Sequence, residues 1–116
     1  MNMPCRQILN LDTLKKLQHE MEEGFDEVYT AIMESLHGHI NELATSQNSK
    51  TRLRMLHSLK SPAASLGAEQ LAELAAGYEK RAMRHPDVPM DEWITALQSS
   101  LAELEQELVR QGFKLP

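Results

Sequence analysis

Apolar residues recur at intervals of three and four along the chain, and polar or proline-containing breaks divide them into five segments. A 3.6-residue period puts such positions on one helix face, so each segment predicts an amphipathic helix. The first carries Leu11, Leu14, Leu17 and Met21, is capped at Asn10 or Asp12, and weakens at Glu22-Glu23-Gly24. The second carries Phe25, Val28 or Tyr29, Ile32, Leu36, Ile40 and Leu43, and stops at the polar run Thr45 to Ser49. The third holds Leu53, Leu56, Leu59, Ala63 and Leu66 and is closed by Gly67, a residue that tolerates the left-handed conformation of many helix ends. Leu71, Leu74, Ala75, Tyr78 and Ala82 form the fourth, which stops at His85-Pro86-Asp87-Val88-Pro89. Met90, Trp93, Ile94, Leu97, Leu101, Leu104 and Leu108 form the fifth, ended by Gly112.

β-Branched and aromatic residues are too scarce for strands. Each long helix has one apolar stripe, which suits neighbours in a bundle, and short links make consecutive helices antiparallel. The fold expected is all-α: an up-and-down antiparallel four-helix bundle with an additional short N-terminal helix. Residues 1–9 read as an N-terminal tail and residues 10–116 as a single helical domain, a size at which well over half the unfolded surface is buried.

Charge narrows the function classes. Twelve basic against seventeen acidic residues give a net charge of -5, which argues against nucleic acid as a partner, because phosphate neutralisation dominates that affinity. No apolar run reaches the ~20 residues of a membrane span and no secretory signal precedes the first helix, so a cytoplasmic protein is expected. The single Cys5 lies in the tail with no metal-ligand companion and reads as a bystander. His37 and His39, two apart on a helix, point about 200° from one another and do not share an ion, so no metal site is expected. No phosphate-cradling glycine loop occurs, so no ATP site is expected.

One histidine stands outside the pattern. His57 sits roughly 120° from the centre of the third helix's apolar wall and should reach solvent. Lys60, Ser61 and Ala64 follow at three, four and seven residues on the same side. Neutral imidazole, with a reference pKa near 6.5, is a nucleophile strong enough to attack phosphorus. Lys50, Arg52, Arg54 and Lys60 concentrate positive charge beside it, which suits a phosphoryl group or an acidic partner. Pro62 follows within the helix, where it removes an N–H and clashes with the carbonyl of Ser58; a kink rather than an end is expected, since Ala63 and Leu66 keep the period.

The run His57-x-Leu59-Lys60-(small)-x-x-x-x-Leu66-Gly67-Ala68-x-x-Leu71 closely resembles the signature of histidine-containing phosphotransfer (HPt) domains. The resemblance extends from Leu11-Asp12 to Tyr78-Glu79, where the family usually has Leu-Glu, and into the last helix. It departs at Ser61, where the family most often has glycine, and at Pro62. The resemblance implies that His57 is the phosphoacceptor and that Lys60 steadies the phosphoryl oxygens, with Ser61, Ala64 and Arg54 meeting the partner. The methionines, Met21, Met33, Met55 and Met83 among them, read mostly as helix fillers at core or border positions, and an exposed Met33 or Met55 would instead join the partner-binding surface. It further implies a stand-alone bacterial phosphorelay carrier, monomeric and not itself an enzyme. Its partners would be receiver domains of hybrid sensor histidine kinases and of a response regulator. No cofactor of its own is expected, Mg2+ belonging to the receiver. The competing expectation is a helical adaptor that binds receiver or kinase domains without carrying phosphate, Pro62 having spoiled the site.

Overall fold

The computed structural model describes residues 7–116; Cys5 lies outside them. Five α-helices follow one another: α1 (Leu11–Met21), α2 (Phe25–Thr45), α3 (Ser49–Leu66), α4 (Glu69–Arg84) and α5 (Asp91–Arg110). The weak point expected at Glu22-Glu23-Gly24 is a single 3-10 turn. There Glu22 turns the chain at φ 48°. Around the bundle α2 packs on α3, α3 on α4, α4 on α5 and α5 on α2, so α3 and α5 are diagonal, while α1 lies against α2 and α3. Among the described residues there is no strand, and no helix is long and apolar enough to cross a membrane.

The stripes of the sequence meet in one core. Leu14, Met33, Leu36, Leu43, Leu56, Leu59, Leu66, Leu71, Leu97, Leu104 and Leu108 are its fully buried large side chains. Burial of this kind, at about 25 cal/mol per Å² of apolar surface, is the main favourable contribution to the fold. Phe25, Tyr29 and Phe113 close one end as a ring cluster with centroids 5.4 to 6.1 Å apart. Tyr78 stacks on Trp93 at 4.9 Å, joining α4 to α5.

Local chemistry sets the helix ends. Asn48 caps α3, its side-chain oxygen accepting from the N–H groups of Lys50 and Thr51 at 2.9 and 3.1 Å. At the other end Gly67 adopts φ 90°, and the N–H of Ala68 reaches back to the carbonyl of Ala63 at 2.8 Å. A Cβ at Gly67 would also meet the carbonyl oxygen of Asn10 at 2.5 Å, so the position admits only glycine. That close approach exists because the N–H of Asn10 donates to the carbonyl of Gly67 at 2.7 Å, while the Asn10 side chain caps α1 and donates to Glu69.

Ile8 and Leu9, assigned from the sequence to a tail, pack on the core instead. Leu9 is buried, and the N–H of Gln70 donates to the carbonyl of Gln7 at 3.1 Å. The apolar pair Ile8 and Leu9 precedes the cap and is too short to show a helical period, which is why it reads as tail in the sequence.

Candidate functional site

The geometry of the candidate site follows from the α3–α4 hairpin. Only Gly67 and Ala68 separate the two helices, so residues about equally far from that turn face one another across the antiparallel pair. This brings His57 and Lys60, a turn apart on α3, to a single residue of α4, Glu79. Its Oε2 lies 2.7 Å from Nδ1 of His57 and its Oε1 2.6 Å from Nζ of Lys60.

Burial separates the roles of the three groups. The His57 side chain is 67% exposed, whereas that of Glu79 is 14% exposed. Burial alone would push the Glu79 carboxyl up; hydrogen bonds from Lys60 and His57, with their charges, outweigh it and hold the group below the ordinary carboxylate range. Glu79 is therefore ionised near neutrality and can only accept hydrogen bonds. It follows that Nδ1 of His57 carries the proton and donates it to Glu79. The lone pair of a neutral imidazole then resides on Nε2, the nitrogen facing away from that contact.

Lys60 does double work in this geometry. Its ammonium satisfies the second oxygen of Glu79, and its side chain, 35% exposed, remains within reach of solvent beside His57. Ser61, Ala64 and Arg54 are exposed, as the sequence pattern requires. The surface beside His57 is low, since Ser61 and Ala64 have side chains of at most two heavy atoms.

Met33 does not belong to this surface. It was expected to meet a partner, but it is fully buried, between Tyr29 and Leu36 on the inner face of α2. The true stripe of α2 runs Phe25, Tyr29, Met33, Leu36, Ile40, Leu43. Choosing Ile32 for the stripe turns the helix by about one residue, which swings Met33 outward in the reading. Met55, on α3, is also buried.

Pro62 leaves α3 intact. The helix runs without interruption from Ser49 to Leu66, with Pro62 inside it and Ala63 and Leu66 buried beyond. The adaptor reading relied on Pro62 disturbing the site, and the His57–Glu79–Lys60 arrangement lies on an unbroken helix.

Two further histidines have side-chain partners: His37 Nε2 lies 2.8 Å from Glu105, and His39 Nε2 lies 3.1 Å from the Ser35 hydroxyl. Among the described residues no group of three or more His, Cys, Asp or Glu is placed to hold a metal ion.

His57 and Lys60 stand out in the sequence, whereas Glu79 enters the site only through the fold. The signal was present in the spacing: counting outward from Gly67 along both helices brings residue 57 level with residues near 78.

Compared with known protein families, residues 12–107 match the Hpt domain. Comparison with curated proteins and with solved structures finds no match.

Proposed function

The chain belongs to the Hpt domain family, and we propose that it is a phosphorelay intermediate in which His57 is the phosphoacceptor. Hpt domains act in phosphotransfer within two-component signalling, as phosphocarriers rather than as enzymes with an ATP site of their own. In the proposed relay the phosphoryl group arrives from an aspartyl phosphate on the receiver domain of a hybrid sensor kinase. It leaves to the receiver of a response regulator.

The observation that carries this reading is the pairing of an exposed imidazole with a mostly buried carboxylate at its Nδ1. The Nε2 lone pair attacks phosphorus, a P–N bond forms, and the P–O bond to the receiver aspartate breaks, its electron pair leaving with the carboxylate. The ring then holds a phosphoryl group on Nε2 and a proton on Nδ1, a cationic species whose charge the Glu79 carboxylate offsets. Transfer onward reverses these steps, and the imidazole returns neutral with its proton still on Nδ1. Lys60 supports the phosphoryl oxygens as a point charge. Positioning and charge stabilisation dominate phosphoryl transfer, so a rigid helix presenting this trio suffices. Mg2+ would be supplied by the receiver, where it neutralises charge on the phosphoryl oxygens during transfer. His57, Lys60 and Glu79 all come from one chain, so a monomer can perform the reaction.

Reconstitution tests the relay. A phosphorylated hybrid-kinase receiver and a response-regulator receiver from the same organism are mixed with and without this protein. The proposal expects label to reach the regulator only when the protein is present; transfer at the same rate without it would refute the relay.

A further inference from the structure

The charge of the chain is unevenly distributed. Residues 49–85, the α3–α4 hairpin, hold seven of the twelve basic residues and three of the seventeen acidic ones. The hairpin is thus net positive within a protein of charge -5. Its cations gather at the end away from the Gly67 turn, with Lys50 and Arg54 on α3 and Lys80 and Arg84 on α4, all four exposed. No acidic residue occurs from 49 to 68 or from 80 to 86. Glu79, between these stretches, has both oxygens committed to His57 and Lys60.

An apolar group sits within this basic surface. Met83 is 64% exposed, more than Met21, Val109 or Leu115. It lies one helical turn beyond Glu79 on the same flank of α4. The register fixed by the His57–Glu79 contact brings it level with Leu53, a partly buried residue of α3. Methionine is unbranched and polarizable and adapts to varied partner surfaces. Lys50 and Arg54 share the outer face of α3 with His57, being seven and three residues before it.

We infer that the receiver partner docks off-centre, over the N-terminal half of α3 and the C-terminal half of α4, with an apolar side chain on Met83 and Leu53 and an acidic rim against Lys50, Arg54 and Lys80. The inference rests on His57 being the phosphoacceptor, because continuity with that residue is what makes the surface a docking face for this partner. Opposite charge accounts for the acidic rim, which also speeds encounter. The exposed Met83 supplies the apolar centre that a docking patch needs inside a polar rim.

The test is single-turnover transfer from the receiver that phosphorylates wild type fastest, measured against receiver concentration for wild type, Met83→Glu, Arg54→Glu and Val109→Glu. Val109 is a comparably exposed apolar residue on α5, diagonal to α3. Met83→Glu is expected to raise the half-saturating concentration at least about tenfold. Arg54→Glu should raise it too and weaken its dependence on salt, and Val109→Glu should match wild type. Half-saturation within about twofold of wild type for both Met83→Glu and Arg54→Glu would overturn the docking face. Phosphoramidate, a small phosphodonor that needs no docking, is used on wild type alone. Absence of its label from His57 would instead refute the phosphoacceptor reading, and the docking inference with it.

Discussion

Glu79 accepts the Nδ1 proton of His57 across 2.7 Å, from a helix neighbouring the one that carries the histidine. Two helices therefore define one imidazole: α3 exposes it, and α4 fixes its tautomer and ring orientation. A surface histidine without such a partner would rotate freely and distribute its proton between both nitrogens. Glu79→Ala should slow phosphoryl transfer to His57 about tenfold or more, the usual effect of removing a group that orients a reacting imidazole. Glu79→Gln, which keeps an acceptor for Nδ1 but loses the negative charge, should fall between the two. Single-turnover rates check this, and an unchanged rate in Glu79→Ala would remove Glu79 from the mechanism.

The same carboxylate makes stability depend on acid. Its folded-state pKa lies below the ordinary value of 4.5, so the unfolded chain binds its proton more readily. The contribution of Glu79 is complete above about pH 4.5 and is lost as the pH falls through the lower folded value. Glu107, held down by Arg110 and Gln111, acts in the same window. Denaturant unfolding at pH 6 and pH 3 should show a smaller loss for Glu79→Gln than for wild type; an equal loss would show that the pairing adds no pH-dependent stability.

Tyr29 carries a buried hydroxyl with no hydrogen-bond partner among the described residues. Burial, reinforced by Glu105, raises its pKa, so the phenol remains neutral. A buried donor left unpaired is costly, and Tyr29→Phe keeps the ring contacts with Phe25 and Phe113. The variant should be more stable by about 1 kcal/mol, a rise of about 4 °C in Tm. A lower Tm would mean that the hydroxyl has a partner in solution.

Pro62 leaves the carbonyl of Ser58 without its helical N–H donor. Pro62→Ala restores that donor within a continuous helix, at the cost of a more flexible unfolded chain. A net gain of about 2 kcal/mol is expected from the roughly 3 kcal/mol penalty of an interior proline. Urea unfolding measures it, and a loss of stability would show that the proline ring packs favourably where it stands.

Much of this was legible in the sequence because helix periodicity is a local property. Leu56, Leu59, Ala63 and Leu66 are in the core as their spacing requires, and His57 is exposed for the same reason. Gly67 as a helix end was readable from its freedom at positive φ, though not the crowding against Asn10 that makes glycine obligatory there. Met33 was misplaced because α2 offers both Ile32 and Met33 as apolar candidates, and only packing against α3 and α5 decides which turns inward. The tie between Glu79 and His57 spans twenty-two residues and depends on the length of the turn between α3 and α4, so no local pattern announces it.

The most direct test compares wild type with His57→Gln, each incubated with an ATP-charged hybrid kinase carrying its receiver, with the acid and base lability of any protein-bound phosphate recorded. The phosphoacceptor reading predicts acid-labile, base-stable label on wild type and none on His57→Gln. Equal label on the two proteins would contradict it.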